Sequence, residues 1–91
     1  MKYRRTESFK KAYDKLPPEL QEKAKIAFSL FKQNQSHPSL GIKKMKGRDE
    51  IWEGRLTEGY RFTFHYERDT TGELWCVFRN IGPHSILDTN P

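Results

Sequence analysis

The sequence predicts an α+β fold in which an N-terminal helical hairpin packs on one face of an antiparallel β-sheet. Two observations lead to this fold class. Apolar residues in the first part of the chain recur at helical spacing, and the period becomes strand-like after a loop at 35–41 that contains Ser, Pro and Gly. Three strand-like segments then follow, separated by short polar turns. Helices followed by consecutive strands are typical of α+β proteins.

The composition supports one small domain that spans residues 1–91. Only 34% of the residues are hydrophobic and 32% are charged, so the chain has apolar material for a single modest core. Aromatic residues make up 13% of the chain and compensate in part, because each buries more area than an aliphatic residue. A second domain is therefore excluded.

The charge balance suits a polyanionic partner. Seventeen basic and twelve acidic residues give a net charge of +5, which fits nucleic acid or an acidic protein better than a membrane. Many domains of similar charge have no such partner, so charge alone leaves both interpretations open. No apolar stretch approaches the ~20 residues that span a bilayer, and no apolar run follows the charged residues 1–5, so we expect a cytoplasmic protein.

Metal binding and disulfide formation are not expected. The single cysteine, Cys76, has no partner for an internal disulfide, and no spacing of Cys and His residues resembles a zinc site. Cys76 falls on the apolar side of a predicted strand, where it is most simply a small core residue.

Two helices are predicted after a short N-terminal edge strand at 2–5. Thr6 is a candidate N-cap, and apolar residues follow it at i, i+4 and i+7, at Phe9, Tyr13 and Leu16. Pro17 and Pro18 end this helix and begin a second one, which extends to about Asn34. Its apolar stripe consists of Leu20, Ala24, Ala27, Phe28 and Phe31. The two segments are interpreted as a hairpin with one shared apolar face.

The remainder of the chain predicts an antiparallel meander. The strands are 51–56, 60–66 and 74–81, and the turns between them are 57–59 and 69–72. The tail from Gly82 to Pro91 is polar, and we expect it to be irregular.

Alternation of side chains separates an apolar face from a cationic face of this sheet. The apolar set, which the helices cover, contains Trp52, Leu56, Tyr60, Phe62, Phe64, Tyr66, Leu74, Cys76 and Phe78. The other face carries Arg55, Arg61 and Arg79, together with Glu53, His65 and Trp75. Arginine binds phosphate bidentately and an interleaved Trp75 can stack on a base, so this face is the candidate functional surface. A solvated or partner-covered face is the alternative.

A basic run precedes the first meander strand. It contains Lys43, Lys44 and Lys46, followed by Gly47, for which we expect a turn. The run is placed to guide RNA towards the cationic face, and a solvated loop is the alternative interpretation.

Several stretches, in the same order along the chain, resemble the RelE/ParE toxin superfamily, closest to its RelE-, YoeB- and YafQ-like mRNA interferases. They are Phe9-Lys10-Lys11 before Leu16-Pro17, Lys46-Gly47 before Trp52-Glu53-Gly54-Arg55-Leu56, Gly59-Tyr60-Arg61-Phe62, and Ile81-Gly82-Pro83-His84-Ser85-Ile86-Leu87. The resemblance covers nearly the whole chain. It implies two helices on a twisted antiparallel sheet, with a cleft on the other sheet face.

The resemblance also implies metal-free cleavage of RNA by its own 2′-hydroxyl, with no cofactor. Arg55 and Arg61 match the two family arginines that hold the scissile phosphate, and His84 matches the C-terminal histidine that acts as general acid. Lys43, Lys44, Lys46, Arg79 and Trp75 are expected to bind substrate. An imidazole titrates near pH ~6.5, which suits proton transfer at neutral pH.

The general base remains open between Lys46 and Glu53. YoeB-like members use a glutamate upstream of the Lys-Gly pair, where this chain has Lys43, and RelE-like members rely on lysines near that point. Members with an aromatic residue shortly after the histidine differ from this chain, which has Asp88 there.

The resemblance implies the toxin of a type II toxin–antitoxin system, with mRNA on the ribosome as substrate and an antitoxin protein as partner. Two alternatives stay open. The ParE branch shares the fold but inhibits DNA gyrase, and a toxin-like domain without activity only binds a protein.

Overall fold

The computed structural model describes residues 1–91 and confirms the predicted fold class, with a helical layer on a five-stranded sheet. The strands are β1 (Lys2–Arg5), β2 (Lys43–Lys44), β3 (Trp52–Arg55), β4 (Tyr60–Arg68) and β5 (Leu74–Pro83). The helices are α1 (Glu7–Asp14), α2 (Pro18–Gln33) and α3 (Ile86–Thr89), and a 3-10 turn lies at Pro38–Leu40. None of these helices combines the length and apolar character needed to cross a bilayer.

The N-terminal hairpin forms as its capping residues predict. Thr6 Oγ1 accepts a hydrogen bond from the Phe9 amide at 3.0 Å and donates one to the Arg79 carbonyl at 2.9 Å, so the start of α1 is tied to β5. The two helices are joined through Gln21, whose side-chain amide donates to the Tyr13 carbonyl at 3.0 Å. α2 ends at Gln33, beside the residue at which the sequence predicted its end.

The sheet has the order β1-β5-β4-β3-β2 and is mixed. Strands β2 to β5 pair antiparallel, which confirms the meander, whereas β1 pairs parallel with β5. A parallel neighbour requires a long crossover instead of a hairpin turn, and the segment between β1 and β5 provides it. The predicted edge strand is therefore present, but the sheet is not wholly antiparallel.

Aromatic rings fill the core between the helices and the sheet. Phe9 and Phe31 from the helices meet Phe62, Phe64 and Phe78 from the strands, and all five are buried. The Phe31 and Phe64 rings lie edge to face with centroids 5.0 Å apart. The buried Cys76 has its thiol pKa raised to about 12 by burial. The apolar face assigned by alternation is therefore the core face.

Gly54 provides room for one of these rings. It lies opposite Phe62 in the β3–β4 register, and a Cβ at Gly54 would collide with the Phe62 ring. This contact explains the glycine within the Trp52–Leu56 stretch, because any larger residue would displace a core aromatic.

A register shift between β4 and β5 changes which side chains reach the open face. Thr63 pairs with Asn80 but Phe64 pairs with Phe78, so Arg79 is the extra residue on β5. The side chains of Arg79 and Asn80 both hydrogen-bond to the C-terminal segment, while Phe78 and Ile81 both lie in the core. Simple alternation had placed Arg79, but not Asn80, on the open face.

The C-terminal tail is ordered, so the prediction of an irregular tail is wrong. β5 continues to Pro83, α3 follows, and the last residues fold back over the open face. The main-chain oxygen of Pro91 accepts hydrogen bonds from Thr63 Oγ1 at 2.8 Å and Arg79 Nε at 3.1 Å. The Asn90 carbonyl accepts one from Asn80 Nδ2 at 2.7 Å. These three hydrogen bonds join the tail to the sheet, and the buried Leu87 adds apolar contact.

Candidate active site

The ordered tail divides the open face of the sheet, and two adjoining cavities lie at the β2–β3 end. The first has a volume of about 230 Å³ and is lined by Gly41, Lys43, Glu53, Arg55 and Arg61. The second has a volume of about 340 Å³ and is lined by Lys43, Lys44, Met45, Lys46, Glu53, His84, Leu87 and Asp88. The cavities share Lys43 and Glu53, and together they contain seven of the nine residues that the sequence predicted for the site.

Arg55 and Arg61 face each other directly across the β3–β4 pair. Two like charges opposite each other are unfavourable, and an anion bound between them relieves the repulsion. Arg55 is exposed and forms no salt bridge. Its guanidinium lies against Gly41, where a Cβ would come within 3.3 Å of Nη2, and Gly41 has a φ of 54°. A glycine there accommodates both the left-handed backbone and the arginine.

Arg61 is held by the turn that precedes its own strand. Its Nη1 donates to the carbonyls of Thr57 at 2.7 Å, Glu58 at 2.9 Å and Tyr60 at 3.0 Å. These bonds fix the guanidinium at the cavity edge and leave Nε and Nη2 as its remaining donor groups. Arg61 is therefore preorganised, whereas Arg55 is free to move towards a ligand.

Glu53 lies between the two cavities. It is on β3, its side chain is only 11% exposed, and Oε1 lies 3.9 Å from Lys43 Nζ. That distance permits charge attraction but exceeds hydrogen-bond length. The carboxylate is therefore surrounded by cations without being hydrogen-bonded to one, and it borders both the arginine pair and the histidine.

The basic run is partly a strand. Lys43 and Lys44 form β2 and pair with Glu53 and Trp52 of β3. The chain then makes a turn in which Gly47 has a φ of 71°, as predicted, and the Met45 amide donates to the Ile51 carbonyl at 2.9 Å. Because β2 pairs with β3, the lysines of the basic run lie beside the two cavities. The first two of them belong to a strand and not to a loop.

His84 enters the second cavity at the junction of β5 and α3. Its amide donates to the Gly59 carbonyl at 2.8 Å, which ties the residue to the β3–β4 turn. A Cβ on Gly82 would lie 3.0 Å from Ile86 Cγ2, so the glycine two positions earlier lets α3 pack close to the strand. The main chain of His84 therefore lies beside the start of β4, where Gly82 pairs with Arg61.

Solved structures with the same architecture include a YoeB/ParE toxin and RelE chains from complexes with RelB. The chain superimposes on the YoeB/ParE toxin from Agrobacterium tumefaciens with a TM-score of 0.72, at 19% identity over 92% of this chain and 99% of that one. The chain has the RelE/ParE toxin fold. A chain of the RelB–RelE antitoxin–toxin complex from Methanococcus jannaschii gives a TM-score of 0.69 at 22% identity, with all of both chains covered. One from the archaeal RelE–RelB complex of Pyrococcus horikoshii gives 0.65 at 14% identity, over 90% of this chain and 92% of that one.

The chain shares the RelE/ParE fold with these structures, although its sequence identity to them is only 14–22%. No protein-family model matches the sequence, and no curated protein matches it. Within the fold, no group of three or more His, Cys, Asp or Glu side chains is arranged to hold a metal ion.

Two predicted site residues lie elsewhere on the RelE/ParE fold. Trp75 is near the β1 edge, where its Nε1 donates to Asp69 Oδ2 at 2.9 Å and the Lys2 ammonium lies 5.4 Å from its ring. The hydrogen bonds from Thr71 and Trp75 hold the pKa of Asp69 well below its usual range. Arg79 donates to Pro91, so the structure does not bring either residue to the cavities.

A hydrogen-bonded network across the open face was not predicted from the sequence. Arg79 Nη1 lies 2.8 Å from His65 Nδ1, His65 Nε2 lies 2.7 Å from Glu67 Oε1, and Glu67 Oε2 accepts from Arg4 at 2.8 Å. A guanidinium only donates, so Nδ1 accepts and the Nε2–H donates to Glu67. The His65 hydrogen bond, followed by the Arg4 charge, lowers the pKa of Glu67. The network depends on strand register, which residue spacing does not reveal.

Proposed function

We propose that this protein is the toxin of a type II toxin–antitoxin system and a metal-free endoribonuclease that cleaves mRNA in the cytoplasm. One observation carries the proposal. Two adjoining cavities bring the opposed arginines Arg55 and Arg61 and the histidine His84 around Glu53, the carboxylate that lines both, whereas Asp88 lines only the second. Cations for a phosphate, an acid and a base are the groups that metal-free RNA cleavage requires.

The reaction begins with attack of a ribose 2′-oxygen on the adjacent phosphorus. A new P–O2′ bond forms, the P–O5′ bond breaks, and the products are a 2′,3′-cyclic phosphate and a 5′-hydroxyl. Negative charge on the phosphoryl oxygens grows towards the transition state, so fixed guanidinium groups stabilise that state more than the bound substrate. Arg61 is fixed by the turn carbonyls, and Arg55 closes on the phosphate from the opposite strand.

His84 and Glu53 take the two proton transfers in this proposal. His84 protonates the leaving 5′-oxygen, and its exposed position beside the second cavity supports access to a nucleic-acid strand. Glu53 accepts the 2′-hydroxyl proton. We favour Glu53 over Lys46 because Glu53 borders both cavities, whereas Lys46 lines only the second.

The cations around the cavities and the fold support the two proposed partners, an RNA substrate and an antitoxin protein. Lys43, Lys44 and Lys46 contribute positive charge along one edge, which suits the RNA backbone of a ribosome-bound message. Two structures of the same fold contain a RelE toxin together with a RelB antitoxin, which supports an antitoxin partner for this chain. Trp75 and Arg79 have no role in the proposed reaction, since both are engaged away from the cavities.

The deciding experiment is RNA cleavage on translating ribosomes. Wild type is compared with His84→Ala, Arg55→Ala and Arg61→Lys, with His37→Ala and Arg68→Ala as matched controls outside the cavities. We expect cuts within codons that the controls retain and the three site variants lose by about 100-fold or more. Circular dichroism verifies that every variant is folded.

Absence of cleavage by folded wild type would contradict the ribonuclease proposal. A gyrase supercoiling assay on the same preparation then separates the remaining functions. Inhibition of supercoiling would indicate a ParE-like toxin, and no effect would indicate a domain that only binds a protein.

A further inference from the structure

A cavity of about 460 Å³ lies between β1 and the two long helices, and it is larger than either cavity of the candidate active site. β1 and β2 are opposite edges of the sheet, and this cavity shares no residue with the other two. Only aromatic and cationic residues line it. We call it the β1 cavity, defined by the aromatic Tyr3, Phe28 and Phe78 and the cationic Arg4, Arg5, Lys10 and Lys32.

The aromatic residues form one cluster at the base of the β1 cavity. Phe78 is buried, and its ring centroid lies 4.8 Å from that of Phe28 and 6.3 Å from that of Tyr3. Tyr3 and Phe28 are only half-buried, so part of each ring borders the cavity. A flat aromatic group of a ligand can pack on these rings, and their close grouping provides one position for such a group.

Three cationic side chains around the β1 cavity are available to an anion. Arg5 and Lys32 form no salt bridge, and Lys10 meets only the exposed Glu7, at 3.4 Å. Such an exposed pair is weak, so it offers little resistance to a phosphate. The Lys32 ammonium lies 5.0 Å from the Tyr3 ring centroid, and this contact is also weak at an exposed site. All three groups can therefore turn towards a ligand.

The charge around the β1 cavity favours a ligand with several negative charges. No Asp or Glu lines the cavity, and residues 1–11 contain five basic residues and one acidic residue, so positive charge is concentrated here. Arg4 belongs to this group but donates to Glu67 at 2.8 Å, which leaves Arg5, Lys10 and Lys32 for the ligand. Because these three groups come from β1, α1 and α2, they suit a chain of phosphates better than a single phosphate.

We propose that the β1 cavity binds a nucleoside di- or triphosphate, with the base on Tyr3 and Phe28 and the phosphates on Arg5, Lys10 and Lys32. Its volume of about 460 Å³ lies within the range of ~300–1000 Å³ that is usual for small-molecule sites. A free nucleotide is favoured over an RNA strand, because surfaces that bind strands carry aromatic rings in series along a groove, whereas these rings form one cluster.

NMR titration of the full-length ¹⁵N-labelled protein tests the site, with ATP as the probe. ATP should shift the amide signals of the residues that line the β1 cavity, and the adenine protons should give NOEs to the rings of Tyr3 and Phe28. Adenosine and inorganic triphosphate each supply one part of the ligand, and each should bind at least about tenfold more weakly than ATP. Equally tight binding of triphosphate and ATP, or ATP shifts confined to the candidate active site, would overturn the proposal.

Two matched pairs of variants locate the phosphates. Arg5→Gln and Lys32→Gln should each weaken ATP binding by about tenfold or more, because each removes a charged donor. Arg48→Gln, in the exposed β2–β3 turn, should leave it unchanged, as should Lys23→Gln, which lies nine residues from Lys32 and therefore on the opposite side of α2. All four side chains are exposed, so these variants keep the core intact. Unchanged ATP binding in both Arg5→Gln and Lys32→Gln would overturn the proposal.

Competition with RNA separates a nucleotide site from a strand site. A 2′-O-methyl RNA of about six nucleotides resists cleavage by 2′-oxygen attack, and it should leave ATP in the β1 cavity. Displacement of ATP, with shifts of the same residues by the RNA, would overturn the nucleotide proposal and indicate a strand site. The β1 cavity shares no residue with the candidate active site, so a wild-type protein that binds ATP but cleaves no RNA would contradict only the ribonuclease proposal.

Discussion

The two ends of the open sheet face carry similar charged residues in different states. At the β2–β3 end, Arg55 and Arg61 oppose each other, Arg55 has no salt bridge, and the nearest lysine lies 3.9 Å from Glu53. At the β1–β5 end, Arg79 is bonded to His65 and Pro91, and Arg4 is paired with Glu67. At the β2–β3 end, Arg55 therefore keeps all its donors and Arg61 keeps Nε and Nη2, whereas Arg79 and Arg4 are bonded to other parts of the chain.

This difference shows how to separate binding arginines from structural ones on the same sheet face. An arginine donor group that already meets an acceptor within the chain gains little from a ligand, because the existing bond must be broken first, so Arg61 can bind an anion only through Nε and Nη2. Arg55 meets no such acceptor, and the opposed Arg61 makes an anion favourable there. Residue type alone does not distinguish the two kinds, whereas the partners do.

The largest expected effect is on RNA cleavage. Arg55→Ala should lower the cleavage rate by about 100- to 1000-fold, because the proposed reaction loses a cation that stabilises its transition state. Arg79→Gln should lower it by less than about tenfold per folded molecule, since Arg79 lies outside the cavities. Single-turnover cleavage measures both, and equal losses would show that the two ends act together in catalysis.

The free energy of unfolding should respond to these two arginines in the opposite order. Arg79→Ala removes the donor to Pro91 and His65 and should decrease the free energy of unfolding by about 1–3 kcal/mol. Arg55→Ala removes one of two opposed cations and should change it by less than about 0.5 kcal/mol. Urea denaturation at neutral pH gives both values. A large loss in Arg55→Ala would mean that Arg55 has a structural partner after all.

The predicted and unpredicted parts of the molecule differ in a physical way. Helical spacing and strand alternation identified the hairpin, the meander and the aromatic core face, because these follow from local periodicity. Three other features depend on long-range pairing. They are the extra residue at Arg79, the parallel pairing of β1 with β5, and the return of the tail to Thr63. For the site, the sequence identified the residue types, but alternation alone could not separate Arg79 from Arg55.

Salt dependence of RNA binding gives a smaller effect at the cavity end. In a His84→Ala background, which lacks the proposed general acid, Lys44→Ala should weaken binding and reduce the slope of log K against log salt by about 0.7–1. Lys11→Ala, on the exposed side of α1, serves as the control and should leave the slope unchanged. Fluorescence anisotropy with a labelled RNA measures the slope. An equal change in both variants would indicate a diffuse charge effect instead of a defined edge.

The smallest expected effect concerns pH and the β1–β5 end. The His65 hydrogen bond and the Arg4 charge hold the pKa of Glu67 below its ordinary value of 4.5. A carboxyl whose pKa is lower in the folded state stabilises the protein above its unfolded pKa, and this stabilisation is lost as the pH falls through the folded pKa. Wild type should therefore lose more stability than Glu67→Gln on acidification below about pH 4.5, as measured by urea denaturation.

Glu58→Gln, in the exposed turn beside the cavities, should follow the wild-type curve. If Glu67→Gln follows it too, the hydrogen bonds of the network add no net stability, and only the contacts of Arg79 and Thr63 with the tail distinguish this end of the sheet.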